Sequence, residues 1–257
     1  CVGAPDAMRV VVPRTPAERF LSSGVDPDGR VRLGMVASGT AAFAVFAPGT
    51  QAAEVEGISV PTALDLASRR VSIRAFGPAD DSGRPAHVVL GVEGAFAQAG
   101  LLLRRRAGGY VDDTPAAPEA PVRSLRGVED NLTLDGARAT CAYGAVRGPA
   151  RDAGLWCRTE TSTTWRLELR VREGQAITSV FELAPERWAA TDRTGAVHLR
   201  TGGQWRNVSE ATVNAGCRPA CAPFDLALPP AASGLGVLGG AQAQLLALAP
   251  DSPGGGL

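Results

Sequence analysis

The sequence contains no lysine: all 26 basic residues are arginine, and 26 acidic residues bring the formal net charge to zero. A balanced chain has no electrostatic footprint for a polyanion, so nucleic acid is not an expected partner. A GC-rich coding sequence would account for the missing lysine; planar arginine forks kept for carboxylates or phosphates are the other reading. Arg104, Arg105 and Arg106 form the only run of three arginines, and on a strand they would point to alternating faces. Aromatic residues are scarce at 5%, and there are two histidines, His87 and His198. No apolar run reaches the ~18 residues a membrane-spanning helix needs. The G-x-S-x-G, P-loop and H-E-x-x-H patterns are missing, so no catalytic residue, metal site or cofactor is assigned.

What the chain has in quantity is punctuation. Its 31 glycines and 19 prolines are spread along 257 residues that are 45% hydrophobic. That composition suits a sizeable core built of many short strands and turns. Three stretches repeat one pattern: His87–Tyr110, Arg138–Trp165 and Arg187–Trp205. Each runs as apolar strand, loop, glycine, second apolar strand ending in arginine, polar turn and aromatic. Gly100 to Tyr110 spans 10 positions, Gly154 to Trp165 spans 11, and Gly195 to Trp205 spans 10. The loop before the glycine varies, as loops can where strand pairs cannot.

Weaker copies lie at Val31–Gly49 and Ser233–Pro250. Aligning first strands on Met35, Val88, Ala139, Trp188 and Val237 gives steps of 53, 51, 49 and 49. Extended stretches at Ile58, Ala120, Ala176 and Phe224 precede four of the pairs. A period near fifty residues with three or four strands per unit is the signature of a propeller blade. The expected fold is all-β: one β-propeller of five blades, at residues 14–56, 57–113, 120–172, 174–212 and 223–250, with 251–257 a tail. Two separate β domains, dividing at the Pro-rich stretch Thr114–Pro121, are the alternative. ERFLSSG from Glu18 and PTALDLASRR from Pro61 are the only helix-like pieces. Val10–Val12 is expected to pair with the last blade and cover its edge.

The unit GLWCRTETSTTW resembles the repeats of Asp-box, sialidase-type propellers. Thr164 and Trp165 match the Ser-x-Asp-x-Gly-x-Thr-Trp pattern, while Glu160 and Ser162 stand at its Asp and Gly positions. Gly202 and Trp205 match in the next unit, with Arg200 in place of the Asp. ATCAYGAVRGPARDAGLWCR resembles the disulfide-bearing hairpins of repeats like those of the regulator of chromosome condensation. These resemblances imply architecture rather than activity.

Five cysteines fall as Cys1 and two local couples, Cys141 with Cys157 and Cys217 with Cys221. No histidine lies near either couple, which argues against zinc. Two disulfides in an oxidising compartment is the remaining reading; thiols in a reducing cytosol is its alternative. Cys1 resembles the residue left by lipoprotein signal cleavage in bacteria, which implies a lipid anchor as the sole membrane attachment; the other reading is an arbitrary start of the chain. Localisation is therefore expected outside the cytoplasm, in the periplasm, at the outer membrane or on the cell surface.

The remaining polar groups have ordinary explanations. The acidic stretches at Asp26–Gly29, Ala79–Gly83 and Val128–Gly136 read as turns in which Asp bonds the local backbone, with a calcium loop as the other reading. Tyr110 fills the repeat's aromatic position and Tyr143 sits beside Cys141, so neither is placed as a sialidase nucleophile. Trp156, Trp165, Trp188 and Trp205 read as packing between blades, with sugar stacking the alternative. The expected function is binding without turnover at a loop-rich face that carries the Gly91–Ala99 and Gly144–Ala153 loops. Its ligand would be a protein, including a partner in an envelope assembly, or a glycan. A glycosidase with converging carboxylates is the alternative class.

Overall fold

The computed structural model describes residues 19–25, 30–37, 40–50, 53–59, 71–79, 85–92, 100–107, 109–208, 223–227, 236–240 and 245–248. Among them there is no helix. The strands build five antiparallel meanders. Sheet 1 holds β1 (Arg19–Val25), β2 (Val31–Ala37), β3 (Thr40–Phe46) and β4 (Glu54–Gly57). Sheet 2 holds β5 (Val71–Ala79), β6 (Pro85–Val92), β7 (Gly100–Arg106) and β8 (Gly109–Asp112). Sheet 3 holds β9 (Val122–Leu134), β10 (Ala137–Val146), β11 (Ala153–Thr159) and β12 (Arg166–Val171). Sheet 4 holds β13 (Ile177–Ala184), β14 (Arg187–Asp192), β15 (Val197–Thr201) and β16 (Gln204–Asn207). Sheet 5 has three strands, β17 (Pro223–Ala227), β18 (Gly236–Gly240) and β19 (Leu245–Leu248).

The five aligned anchors, Met35, Val88, Ala139, Trp188 and Val237, each lie on the second strand of a sheet. Other expectations need correction. ERFLSSG is not helical: its residues from Arg19 onward form β1. The first strand of sheet 2 is β5, beginning at Val71, and not the stretch at Ile58. Val128–Gly136 is no loop: all but its Asp135–Gly136 turn belongs to β9. That turn joins β9 to β10 with both residues at positive φ, 53° and 76°, the Asp-Gly geometry that matches strand twist. The loop placed at Gly144–Ala153 is shorter, because β10 continues through Val146. Residues 1–18, which include Cys1 and Val10–Val12, and residues 209–222, which include Cys217 and Cys221, lie outside the described residues, as do 26–29, 61–70, 80–84, 93–99 and the 251–257 tail.

The chain divides into two compact units, residues 1–94 with 103–112 and residues 95–102 with 113–257. In the first, β1 lies against β5, and Ala42, Ala44 and Phe46 pack with Leu33 and Ala53. In the second, β9 lies against β13 and β13 against β17, so first strands of successive sheets adjoin. Among the described residues, the largest apolar cluster lies between sheets 3 and 4. Leu132, Leu134, Tyr143, Leu155 and Leu169 of one meet Ile177, Val180, Trp188 and Ala190 of the other. The far face of sheet 4 carries Ala189, Val197, Leu199 and Val208. Gly144 is required where β9 and β10 come closest. A Cβ there would collide with the Ser124 carbonyl oxygen and lie 2.8 Å from Leu125 Cα.

Candidate functional site

The polar residues buried in sheets 3 and 4 are the first candidates for chemistry, and the geometry commits them to the fold. The arginine that ends the third strand of each repeat is buried in both sheets. Arg158 on β11 forks onto both carboxylate oxygens of Asp113, and its guanidinium lies 4.6 Å over the Trp165 ring. Arg200 on β15 reaches Glu168 of β12 and Glu186 of the β13–β14 turn, each at 2.8 Å, and stacks 4.8 Å over Trp188. Burial works against the Arg200 charge; its bonds to Glu186 and Glu168 and their charges outweigh burial and raise its pKa. Such forked pairs, desolvated and complete, fix neighbouring elements.

His198 is likewise a structural residue. It is buried on β15 with its Nε2 2.9 Å from Asp192 Oδ2. Asp192 also accepts from the Thr194 amide at 2.8 Å and the Ala196 amide at 3.2 Å, so one carboxylate closes the whole β14–β15 turn. Burial alone would raise this carboxyl; the His198 and Thr194 hydrogen bonds overcome it and hold the group below the ordinary carboxylate range. Beside it, Ser179 and Thr178 share hydroxyl bonds with Thr191 at 2.6 and 2.8 Å. His87 is buried on β6.

Cys141 and Cys157 are directly opposed across β10 and β11 and form a disulfide, with Cα atoms 4.1 Å apart. Both half-cystines are fully buried. Tyr143 is buried in the same core and Tyr110 is half-buried on β8. Arg104–Arg106 end β7. Glu160 and Ser162 occupy an exposed β11–β12 turn whose Glu160 amide donates to the Arg138 carbonyl at 2.9 Å.

The tryptophans do not form a sugar-stacking platform. Trp156 and Trp188 are fully buried and Trp165 nearly so. Trp156 Nε1 donates to the Ala120 carbonyl at 2.8 Å. Trp205, half-buried, meets Trp188 edge-on at 6.2 Å. The enclosed rings of Trp156, Trp165 and Trp188 have no face left for a ligand.

What remains is one end of sheets 3 and 4, where three connections are joined through their backbones. The β10–β11 loop, 147–152, is exposed from Arg147 to Arg151. Its Arg147 amide donates to the Pro121 carbonyl at 2.7 Å, just before β9. The Gln175 amide, between β12 and β13, donates to the Arg151 carbonyl at 2.7 Å. The Arg193 amide, in the β14–β15 turn, donates to the Ala176 carbonyl at 2.9 Å. Asp152, buried at the loop's base, accepts from Arg170 Nε at 2.8 Å and from the Glu173 amide at 3.2 Å. Burial would raise its carboxyl, but those bonds and the charges of Arg170 and Arg172 outweigh it and hold the group low.

The loop was legible in the sequence as the long insertion of the middle repeat. The residues that set it, Asp152 above all, were not. An RGPARD segment shows a Gly-Pro turn, but nothing in it says that its last carboxylate is buried under Arg170.

No protein-family model matches the chain, and no curated protein sequence is similar to it. Solved structures are similar. YCF48 from Cyanidioschyzon merolae is 15% identical over 94% of this chain and 72% of its own, with a TM-score of 0.55. Sqt1 from Saccharomyces cerevisiae is 13% identical over 92% of this chain, with a TM-score of 0.54. Virginiamycin B lyase from Staphylococcus aureus is 11% identical over 91% of this chain and 71% of its own, with a TM-score of 0.50. This chain spans 61% of the Sqt1 chain. Identities this low speak for architecture alone, and the architecture they share with this chain is the all-β fold of the β-propeller.

Proposed function

We propose that this protein is a β-propeller binding module that holds a protein ligand, without turnover, on the surface formed by the 147–152 loop, the 172–176 connection and the 193–196 turn. The observation that carries this reading is the backbone joining of the three connections. A surface fixed before contact loses little conformational entropy on binding. The buried arginines, Asp192 and His198 are occupied in packing, which leaves the exposed connections to meet a ligand, and those at 147–152, 172–176 and 193–196 are the ones joined to one another through their backbones. A protein ligand is favoured over a glycan because three of the four tryptophans are buried and the fourth, Trp205, lies at the other end of sheet 4 from this surface.

Export is part of the same proposal. The Cys141–Cys157 disulfide supports an oxidising compartment, since such bonds are rare where thiols are kept reduced. Alkylation mapping of protein taken from its native compartment tests it: free thiols at both positions would remove the case for export.

A photo-crosslinking residue at Pro149, compared with one at Ser162 on the opposite end of sheet 3, tests the surface. Adducts confined to position 149 are expected in the native host. Equal labelling at both positions, or labelling only at 162, would overturn the assignment. Release of product from a panel of glycans and esters would replace binding by catalysis.

A further inference from the structure

We infer that the ligand of this surface is an acidic stretch of polypeptide, bound through arginine forks; the inference rests on the binding surface proposed above and adds the chemistry of its partner. The argument starts from how a chain of zero net charge distributes its charges along two sheets.

At the joined end, Arg123, Arg147, Arg151, Arg172 and Arg193 are exposed. Arg123 is the second residue of β9, one position past the Val122–Val146 pair that closes this end of the sheet. Arg147 and Arg151 flank the loop tip, Arg172 follows β12, and Arg193 follows β14. No ion pair or side-chain hydrogen bond holds any of these five guanidinium groups among the described residues. The exposed acids at this end are Glu119 and Glu173. Asp152 is buried and consumed by Arg170 and the Glu173 amide.

The opposite end of the same sheets is neutralised internally. Arg200 contacts Glu168, Glu186 and Asp135, Arg166 contacts Asp135 and Glu168, and Arg138 lies 4.0 Å from Glu160. Arginine is therefore paired where it staples sheets and, Arg170 on Asp152 aside, left open where the loops are joined. An open guanidinium presents five donors in a plane and takes carboxylates two bonds at a time. Positions held by backbone hydrogen bonds fix where each arginine stem begins, so the array suits carboxylates spaced along a chain.

A phosphate polymer is the competing anion. Single-stranded nucleic acid is ordinarily gripped by aromatic stacking as well as charge, and the aromatic rings nearest this end, Trp156 and Tyr143, are buried. The exposed Gly148–Ala150 backbone offers peptide groups that a polypeptide ligand can meet with its own.

Fluorescence anisotropy on the full chain tests this, with a labelled Glu-Gly repeat peptide, its Gln-Gly counterpart and oligothymidylate of the same length. The Glu-Gly peptide should bind, weaken with rising salt, and lose at least about tenfold in affinity on R147Q/R151Q. R138Q/R166Q at the far end should bind as the unaltered protein does. All four residues are exposed, so a circular dichroism melt should show the variants folded. Equal binding of the Gln-Gly peptide, tighter binding of oligothymidylate, no binding of the Glu-Gly peptide, or equal losses in both variants would each overturn the inference. If the peptide fails while crosslinks at position 149 persist, the surface stands and only its acidic partner falls; if crosslinks fail too, the surface falls with it.

Discussion

On the third strand of sheet 3 the chain reads Trp156, Cys157, Arg158; on the third strand of sheet 4 the same positions read His198, Leu199, Arg200. The partner strands keep the match. Arg158 opposes Thr140 as Arg200 opposes Trp188, Cys157 opposes Cys141 as Leu199 opposes Ala189, and Trp156 opposes Ala142 as His198 opposes Ala190. Both sheets turn the arginine toward a carboxylate on the N-terminal side and bury the ring beside it. They differ in what locks the hairpin. Sheet 3 uses a covalent bond across the middle of a long pair and a large indole held by one carbonyl. Sheet 4 uses a short turn closed by a single buried carboxylate. A repeat can thus conserve its frame while exchanging one means of closure for another of different chemistry.

The difference should be largest where bulk is removed. Trp156→Ala should cost about 3–5 kcal/mol, since it opens a cavity and leaves the Ala120 carbonyl without its donor. His198→Ala should cost about 1–3 kcal/mol, as it orphans part of the Asp192 acceptor set. Urea unfolding of both variants would erase the distinction if the two losses were equal. Removing the bond with Cys141→Ala/Cys157→Ala should cost about 3 kcal/mol on the chain-entropy estimate, for a sequence separation of 16. Reduction of the unaltered protein should reproduce that loss in thermal melts, and no change on reduction would refute it.

One carboxylate from each sheet, Asp192 and Glu129, should also answer pH with opposite signs. Asp192 is held below its ordinary value in the folded state, so its contribution is present at neutral pH and is lost as pH falls through that lowered value. Asp192→Asn should flatten the loss of melting temperature below about pH 4. Glu129 of β9, opposite Cys141 in register, behaves the other way. Burial first, and the charge of Asp130 second, push its carboxyl up to about 7. The folded state favours its protonated form, so stability declines as pH rises from the ordinary glutamate range through about 7. Glu129→Gln should remove that decline and raise the melting temperature at pH 8 relative to the unaltered protein; a parallel profile would contradict the assignment. The smallest effect belongs to the exposed Arg166→Ala, within about 0.5 kcal/mol by chemical denaturation, because its pair with Asp135 is largely solvated and Glu168 keeps its closer partner Arg200.

Much of this frame could be read from residue order. The glycine-to-aromatic spacing and the even steps placed a residue on the second strand of every sheet, because a blade is a local meander and its turns recur in sequence. The register was off by one in sheet 3, where Thr140 rather than Ala139 matches Trp188. β-bulges explain such slips: β9 and β10 shift between Ala139 and Cys141, and a bulge leaves no mark in apolar periodicity. β1 reads as a helix-like piece in the sequence because Phe20 and Leu21 are followed by two serines, a pattern too short to separate the two periods. The Asp192–His198 contact was hidden for another reason. Its residues stand six apart across a turn, among 26 acidic residues any of which could have been the partner. Asp followed by Thr-Gly and then His on the next strand was the available signal. The arginine that ends each third strand was visible as a repeat feature, but its burial depends on carboxylates from the preceding sheet.

The loops at the exposed end of sheets 3 and 4 are tied to one another through peptide groups at Arg147, Arg151, Arg193 and Gln175. Peptide groups are common to almost every residue, so, with the buried Asp152 kept beneath the loop, the shape of this end depends little on which exposed side chains decorate it. Exchanging the exposed residues between 147 and 151, proline and glycine aside, should leave the outline unchanged while altering the chemistry it presents. The surface is therefore open to divergence between relatives and to grafting in the laboratory, where a library confined to these positions would sample new specificities on one unchanging scaffold.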